Sequence, residues 1–274
     1  MKTSFRRIPS ITVAFRAAVF CAIAVFSADA ADAPPALSAP ELAAKLGAMQ
    51  QDGSSYVRLK LDGGAEKAAL QIQIKQRRTR GSTEVIYQIL WPKERKGEGV
   101  LLRKIGDRPA TGSYFRPPDT VRALGSEQMK EPLFGSDLTY EDIVENFFLW
   151  EHQAVVGTEV VDRVNCQILE SKPGKGQRFS YASVRTWVDT RHLVPLRVEK
   201  YSASGEVVRR IDSTKVATDD ERRHIPANLS VRGRRSDSVT ELDGSRIVHG
   251  VNYADRDFTA DGLRDLTTPK SAPK

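Results

Sequence analysis

Apolar and polar residues alternate along most of the chain after residue 55, in the pattern of β-strands that bury one face. Residues 56–61 alternate, glycines follow at 63 and 64, and residues 70–75 alternate again. Two such runs around a glycine-containing loop predict a β-hairpin. Similar runs continue at a regular spacing to residues 247–253, so the pattern predicts roughly ten or eleven strands in an antiparallel meander.

Two stretches depart from this alternation and predict helices. Ser38 begins a capping-box sequence, and the apolar residues after it recur at helical spacing to about residue 50. Residues 133–150 do not alternate either, and Thr139 together with Asp142 can cap a second short helix within them.

The first thirty residues have the layout of a secretory signal. Basic residues precede an apolar run at residues 17–26, and small residues follow it as they do at a cleavage site. We therefore expect export to the periplasm. The predicted organisation is a signal peptide at residues 1–30, a flexible leader at 31–37, a single domain at 38–266 and a disordered tail at 267–274.

The charge of the chain argues against nucleic acid as a partner. The formal net charge is +7, but removal of the first thirty residues lowers it to +4, because they hold four basic residues and one acidic residue. The basic clusters at residues 75–80, 222–223 and 232–235 are better explained as solvated strand ends and turns than as phosphate contacts. Anionic lipid headgroups are the more plausible polyanion for an exported protein.

The residue types needed for catalysis or metal binding show no recognisable spacing. A Gly-x-Ser-x-Gly motif is absent, and the four histidines have no second histidine or cysteine at metal-ligand spacing. Cys21 lies in the predicted signal, which leaves Cys166 as a thiol without an internal partner and predicts a buried, inert side chain. We predict no enzyme activity, no metal site and no cofactor.

Residues 135–143 read Gly-Ser-Asp-Leu-Thr-Tyr-Glu-Asp-Ile, which resembles the signature of the bacterial outer-membrane lipoprotein-sorting protein family, the LolA-like proteins. Leu138 stands where that family usually has an aromatic residue. Further pieces resemble the family in the same order, including Trp-Pro-Lys-Glu-Arg at residues 91–95 and Trp-Val-Asp at residues 187–189. The similarity covers most of residues 55–265.

The resemblance implies a fold and the kind of surface that binds a ligand. It implies a mainly β protein with short helices, a half-open antiparallel β-barrel or strongly curved sheet whose mouth the helices cover. The strand pattern alone is equally compatible with a closed, lipocalin-like barrel. Either architecture is an apolar container, and a large apolar face on a soluble protein has to be covered by helices, a partner or a ligand.

The hypothesis that we draw is a periplasmic carrier or chaperone without enzyme activity, which binds the acyl chains of a lipoprotein or lipid on its way to the outer membrane. An inner-membrane transporter or an outer-membrane acceptor is the expected partner. The alternative is a periplasmic adaptor that recognises a membrane transporter or envelope protein and binds no lipid. A hydrolase acting on an envelope component is a third, less favoured hypothesis.

The expected binding surface combines strand residues with a movable cover, formed by the helix after Ser38 and by residues 133–150. Ordinary core packing is the alternative explanation for each of the residues involved. The candidate lipid-binding residues are Leu70, Ile72, Ile74, Val85, Ile89, Phe134, Phe147, Phe148 and Trp150.

Overall fold

The computed structural model leaves the expected signal peptide outside the residues that it describes, together with residues 31–35 of the leader and 270–274 of the tail. None of the described helices is long and apolar enough to cross a membrane. The described residues are 36–51, 53–64, 69–106, 108–176, 179–234 and 238–269, and only the backbone of Ser245 is described.

Thirteen strands form a single antiparallel sheet in this part of the chain. The sheet is curved and unclosed, which confirms the expected fold class. Three α-helices accompany it: α1 (Ala39–Gln50), α2 (Tyr140–Val144) and α3 (Ala260–Arg264). In chain order the strands are β1 (Gly53–Gly63), β2 (Leu70–Arg78), β3 (Ser82–Trp91), β4 (Gly99–Ile105), β5 (Thr111–Arg116), β6 (Thr120–Leu124), β7 (His152–Val161), β8 (Val164–Lys172), β9 (Ser183–Asp189), β10 (Val194–Tyr201), β11 (Val207–Thr218), β12 (His224–Gly233) and β13 (Val239–His249).

The first and last strands of the chain meet in the middle of the sheet, whose order is β6-β5-β4-β3-β2-β1-β13-β12-β11-β10-β9-β8-β7. Strands β1 and β13 pair from Ser55 opposite His249 to Gly63 opposite Thr240. The two edges, β6 and β7, are consecutive in the chain, so residues 125–151 have to reach from one edge to the other. We call residues 125–151 the cover segment, and the face of the sheet that packs against it the inner face.

Both predicted helix starts are confirmed by their hydrogen bonds. The backbone N–H and the hydroxyl of Ser38 donate to Glu41 Oε2 at 3.1 and 2.6 Å, at the start of α1. At the start of α2, the N–H of Thr139 donates to Asp142 Oδ2 at 2.7 Å, and the N–H of Asp142 donates back to Thr139 Oγ1 at 3.3 Å. Only the bonds at α2 run in both directions, as in a capping box, and there the N–H of Asp142 is one of the donors that a helix leaves free at its N-terminus.

The structure has more strands than the alternation predicts, for two local reasons. Strand β6 has only five residues, four of them exposed, so it carries no alternating pattern. Asp243 and Gly244 have the composition of a turn but lie inside β13, where the register shifts opposite Arg58 and Leu59. The last strand therefore ends at His249, and residues 250–253 lie beyond it.

The inner face of β1–β4 and the cover segment share one apolar core. Side chains at every second strand position point into it, as expected for a sheet with one buried face on that side. The residues that the sheet and the cover segment contribute to this core are almost completely buried. The sheet contributes Leu61, Leu70, Ile72, Ile74, Val85, Ile89, Val100, Leu102 and Leu124, and the cover segment contributes Met129, Leu133, Phe134, Tyr140, Ile143 and Val144.

A second core lies between α1, the end of the cover segment and the inner face of β8 and β9. Leu42 and Leu46 of α1 are 0% and 3% exposed, which confirms that the apolar stripe of this helix covers another part of the protein. The other members include Phe147, Phe148, Trp150, Leu169, Val184 and Val188.

The opposite, outer face of β3–β5 is covered by the segment around α3. Phe258 and Leu263 of this segment are fully buried against Ile86 and Leu101. The buried amide of Gln88 donates to the carbonyl oxygens of residues 263 and 265, at 2.8 and 2.9 Å, so the C-terminal segment also satisfies polar side chains of the sheet.

Replacing Leu133 by Ala should lower the free energy of unfolding by about 2–5 kcal/mol, because a fully buried side chain leaves a cavity in the core. Leu149→Ala is the matched control, since Leu149 belongs to the same cover segment but is 57% exposed. Denaturant unfolding measures both variants. Equal losses would mean that the cover segment is not packed on the inner face as described.

Cys166 should be unreactive in the folded protein. Its side chain is 1% exposed, and burial raises the pKa of the thiol to about 11, so almost no thiolate forms at pH 8. We expect iodoacetamide to leave Cys166 unlabelled at pH 8 in the folded protein and to label it fully in guanidinium chloride, as measured by intact mass. Rapid labelling of the folded protein would contradict this packing.

Candidate functional site

The 135–143 motif lies in the cover segment and fixes it to the sheet. Asp137 accepts hydrogen bonds from the hydroxyls of Ser238 and Thr240 at 2.7 and 2.8 Å, and its N–H donates to Thr240 Oγ1 at 2.9 Å. Thr240 belongs to β13 and is fully buried. The first carboxylate of the motif therefore connects the cover segment to the middle of the sheet.

Asp142, the second aspartate of the motif, is the centre of a buried ionic cluster. Its side chain is 1% exposed and accepts hydrogen bonds from Tyr181 Oη and Lys200 Nζ, both at 2.6 Å. The guanidinium of Arg209 also pairs with it. Because Lys200 and Arg209 belong to β10 and β11, this cluster connects α2 to the other half of the sheet.

The burial of this Asp142 cluster shifts the ionisation of its members. Desolvation lowers the pKa of Lys200 to about 8 and that of Arg209 to about 10, and it raises the pKa of the Tyr181 phenol. The Lys200 ammonium also lies 4.7 Å from the centroid of the Tyr181 ring. Two cations thus share one carboxylate inside the protein. Removal of that carboxylate would leave two buried positive charges without a negative partner.

Gly135, which begins the motif, lies in close backbone contact with Gly64. A Cβ on Gly64, at the end of the β1 hairpin strand, would lie 2.5 Å from the carbonyl oxygen of Gly135. Gly64 and Gly135 both have positive φ angles, of 73° and 83°, which favour glycine. The cover segment can therefore approach Gly64 this closely only because Gly64 has no side chain.

A cleft of about 780 Å³ opens between the cover segment and the ends of β2–β4. Its volume lies within the range of about 300–1,000 Å³ that is usual for small-molecule sites. Met129, Val144 and Trp150 supply apolar wall, while Lys104 and Glu145 form an ion pair at 3.3 Å on the lining. An amphipathic ligand matches this mixture of apolar and charged groups better than a purely apolar one.

The structure places the nine predicted lipid-binding residues in the two inner cores. Trp150 also lines the 780 Å³ cleft, and Leu70 and Ile72 line a smaller pocket of about 340 Å³ beside β1 and β3. The cover segment and α1 pack against the inner face, so contact of these residues with lipid stays a prediction. Leu70, Ile72, Ile74, Val85, Ile89 and Phe134 belong to the first core, and Phe147, Phe148 and Trp150 to the second.

The basic cluster at residues 75–80 is not a solvated strand end, contrary to the sequence-based expectation. Lys75 is 4% exposed and donates to the carbonyl oxygen of Asp265 at 2.7 Å, and Arg77 pairs with Glu84. These residues continue β2, whose two faces are both covered at this point. Only the end of the cluster, Thr79 and Arg80, is exposed.

Arg78 is the functional candidate that the sequence analysis does not single out. It follows Ile72 and Ile74 on the inner face of β2, and its guanidinium donates to the carbonyl oxygen of Ile143 at 3.0 Å. Its Nε is buried without a hydrogen-bond partner, and burial lowers the pKa of the side chain. The available signal was the period-two position of Arg78, since side chains two apart on a strand share a face.

One cluster has the residue types of a metal site, but an arginine already compensates it. Single ligand atoms of Asp219, Asp220 and His249 lie within 4.8 Å of one another. Arg223 Nε donates to Asp219 Oδ2 at 2.9 Å, and an Arg223 amino group lies 2.9 Å from His249 Nε2. The guanidinium therefore stands where a cation would have to bind.

A family model with the description "Uncharacterized protein", which corresponds to the DUF1329 family, matches residues 81–265. The chain belongs to this family. A comparison with curated proteins finds no match. The family match includes the cover segment and the Asp142 cluster, so both lie within the part of the chain that defines the family.

Three solved structures share the fold. A DUF1329 family protein from Desulfovibrio piger has 20% identity and a TM-score of 0.75, over 82% of this chain and 97% of its own. A putative outer membrane lipoprotein-sorting protein domain from Vibrio parahaemolyticus has 17% identity and a TM-score of 0.73, over 83% and 98%. A LolA superfamily protein from Nitrosomonas europaea has 22% identity and a TM-score of 0.64, over 83% and 100%. The resemblance drawn from the sequence is confirmed.

Replacing Asp142 by Ala should lower the free energy of unfolding by about 3–5 kcal/mol, because Lys200 and Arg209 lose their shared buried carboxylate. Asp62→Ala is the matched control. Asp62 also pairs with a lysine at 2.6 Å, but its side chain is 44% exposed, so we expect little change. Denaturant unfolding at pH 7 compares them, and similar losses in both variants would refute the assigned role of the Asp142 cluster.

Proposed function

We propose that the protein is a periplasmic carrier that binds the acyl chains of a lipoprotein or lipid for transport towards the outer membrane, without making or breaking bonds. The observation that carries this proposal is the cover segment, a single connection whose side chains fill the inner face beside a cleft of about 780 Å³. A sheet covered by one connection over β1–β4, with α1 beside it, can exchange the contacts of that connection for a ligand.

The energetics suit reversible binding. Burial of about ten methylenes at roughly 0.8 kcal/mol each would contribute about 8 kcal/mol before ordering costs, which corresponds to micromolar retention. Opening costs part of this, because cover residues such as Leu133 and Val144 have to leave the core. The ligand replaces the apolar contacts that these residues give up, so the net affinity stays moderate and release stays possible.

The fold of similar proteins supports the same function. One of the three structures is described as a putative outer membrane lipoprotein-sorting protein domain and another as a LolA superfamily protein. We extend this function to the present chain, with the nine predicted apolar residues as contacts of the acyl chain in the open form. An inner-membrane transporter or an outer-membrane acceptor would then load or unload it.

An adaptor that binds protein rather than lipid is the second candidate, and the edge strand β7 favours it. Val155, Val156 and Val160 on this strand are 36%, 46% and 61% exposed. An edge strand offers unpaired backbone groups to an added strand of a partner, and exposed apolar side chains beside them would strengthen such a contact. The adaptor requires no ligand in the cleft.

Native mass spectrometry of the mature protein, isolated from the periplasm of its own bacterium, tests the carrier. We expect a population with bound acyl lipid, whose mass is lost after solvent extraction and regained on reloading. A preparation free of lipid, under conditions that keep lipid on a known carrier, would contradict the carrier function. A protein partner in its place would favour the adaptor.

A variant that fills the cleft sharpens this test. Ala110 lines the cleft, so Ala110→Trp should reduce the bound lipid several-fold by occupying its space. Ala123→Trp is the matched control, because Ala123 is exposed on β6 and does not line the cleft. Equal lipid content in both variants would place the ligand elsewhere.

A further inference from the structure

Arg78 differs from the other cations that face the inner side of the described chain. Lys200 and Arg209 share the carboxylate of Asp142, and Lys104 pairs with Glu145. No carboxylate of the described residues forms an ion pair with Arg78, and its one hydrogen bond is to a neutral backbone carbonyl. A partly buried guanidinium without an anionic partner has an uncompensated positive charge and N–H donors that can bind a ligand.

The position of Arg78 links the cleft to the first apolar core. Arg78 is opposite Thr83 in the pairing of β2 with β3, and Thr79 and Thr83 both line the cleft. Its carbonyl partner, at Ile143, is adjacent to Val144, which also lines the cleft. Arg78 itself does not line the cleft, but its neighbours at the end of β2, on β3 and on α2 do. Towards the core, the next inner-face positions of β2 are Gln76, which donates to Ser55 Oγ at 2.6 Å, and then Ile74 of the apolar core.

We propose that Arg78 binds the anionic head group, a carboxylate or a phosphate, of an acyl lipid whose chain lies along Ile74, Ile72 and the cover segment. The proposal rests on the carrier function above and specifies its class of cargo. An oxyanion that enters through the cleft takes the place of the Ile143 carbonyl and supplies the charge that Arg78 lacks. The planar guanidinium can donate two parallel hydrogen bonds to either oxyanion.

The same exchange couples the head group to the opening of the cover segment. The hydrogen bond from Arg78 to the Ile143 carbonyl connects β2 to α2 only while no anion is bound. Hydrogen bonds to charged groups contribute more than those to neutral ones, so an acid group competes with the carbonyl for the guanidinium. An uncharged ester of the same acyl chain would have to displace the Ile143 carbonyl without the stronger hydrogen bonds that a charged group forms.

The test compares matched charged and uncharged probes on the delipidated mature protein. cis-Parinaric acid and its methyl ester form one pair, read by their fluorescence. Lysophosphatidic acid and monopalmitoylglycerol form the second pair, read by displacement of the bound parinaric methyl ester. We expect the charged member of at least one pair to bind about 10- to 100-fold more tightly. A preference in the first pair identifies a carboxylate cargo, and one in the second pair a phosphate cargo.

Arg78→Met should remove this preference and leave the affinity for the uncharged probes unchanged or higher. Its melting temperature should not fall, because an unpaired charge is replaced by an apolar side chain of similar length. Arg234→Met is the control for net charge, since Arg234 is an exposed residue paired with Glu206, and it should keep the full preference.

The outcomes separate the cargo class from the carrier function. If wild type binds charged and uncharged probes equally, or if Arg78→Met keeps the preference, the head-group assignment is overturned while the carrier function stands. If neither member of either pair binds, the carrier function falls and the assignment falls with it. A lower melting temperature together with loss of all binding would identify Arg78 as a structural contact of the cover segment.

Discussion

The structure depends on one topological constraint: the strands at the two edges of the open sheet are consecutive in the chain. Pairing of β1 with β13 places the rest of the chain on two opposite wings, and β6 and β7 end those wings. The connection between them has to traverse the inner face, and it can remain there only if it is apolar. Its side chains therefore supply six of the fifteen buried residues of the first core.

Polar groups determine the position of the cover segment on the sheet. Hydrophobic contacts alone would allow the cover segment to pack on the curved sheet in many registers, since hydrophobic attraction has no direction. Asp137 accepts hydrogen bonds from two hydroxyls near the middle of the sheet. Asp142 forms ion pairs with two cations in the half of the sheet that ends at β7. Burying these charges costs desolvation energy, so the arrangement defines position more than it adds stability. The motif is thus a pair of anchors at fixed spacing rather than a catalytic sequence.

Much of the fold follows from local rules, whereas the site depends on distant partners. Alternation finds most strands, and the capping sequences at Ser38 and Thr139 locate the helix starts. Strand β6 is too short for a pattern, and a bulge disguises the middle of β13. The motif can be recognised from the sequence. Its role cannot, because the partners of Asp142 lie about 40 to 70 residues further along the chain.

The surroundings of Arg78 also depend on residues that are distant in the sequence. In the sequence it is one basic residue among several, and the pairing of β2 with β1 and β3 shows which of them face the same side. Arg77 then points to Glu84 and the outer surface, while Arg78 reaches the backbone of α2. Period-two analysis could have separated them, but the absence of an anion near Arg78 required the whole fold.

The pairing of β1 with β13 also has a consequence for how the molecule assembles. Ser55 and His249 lie at nearly opposite ends of the described chain, yet they are neighbours at the centre of the sheet. Each wing can form from hairpins between adjacent strands, but joining the wings must await closure of a loop that includes almost everything else. Because contacts between residues so distant in the chain form slowly, the junction of β1 with β13 should limit the rate at which the complete sheet forms.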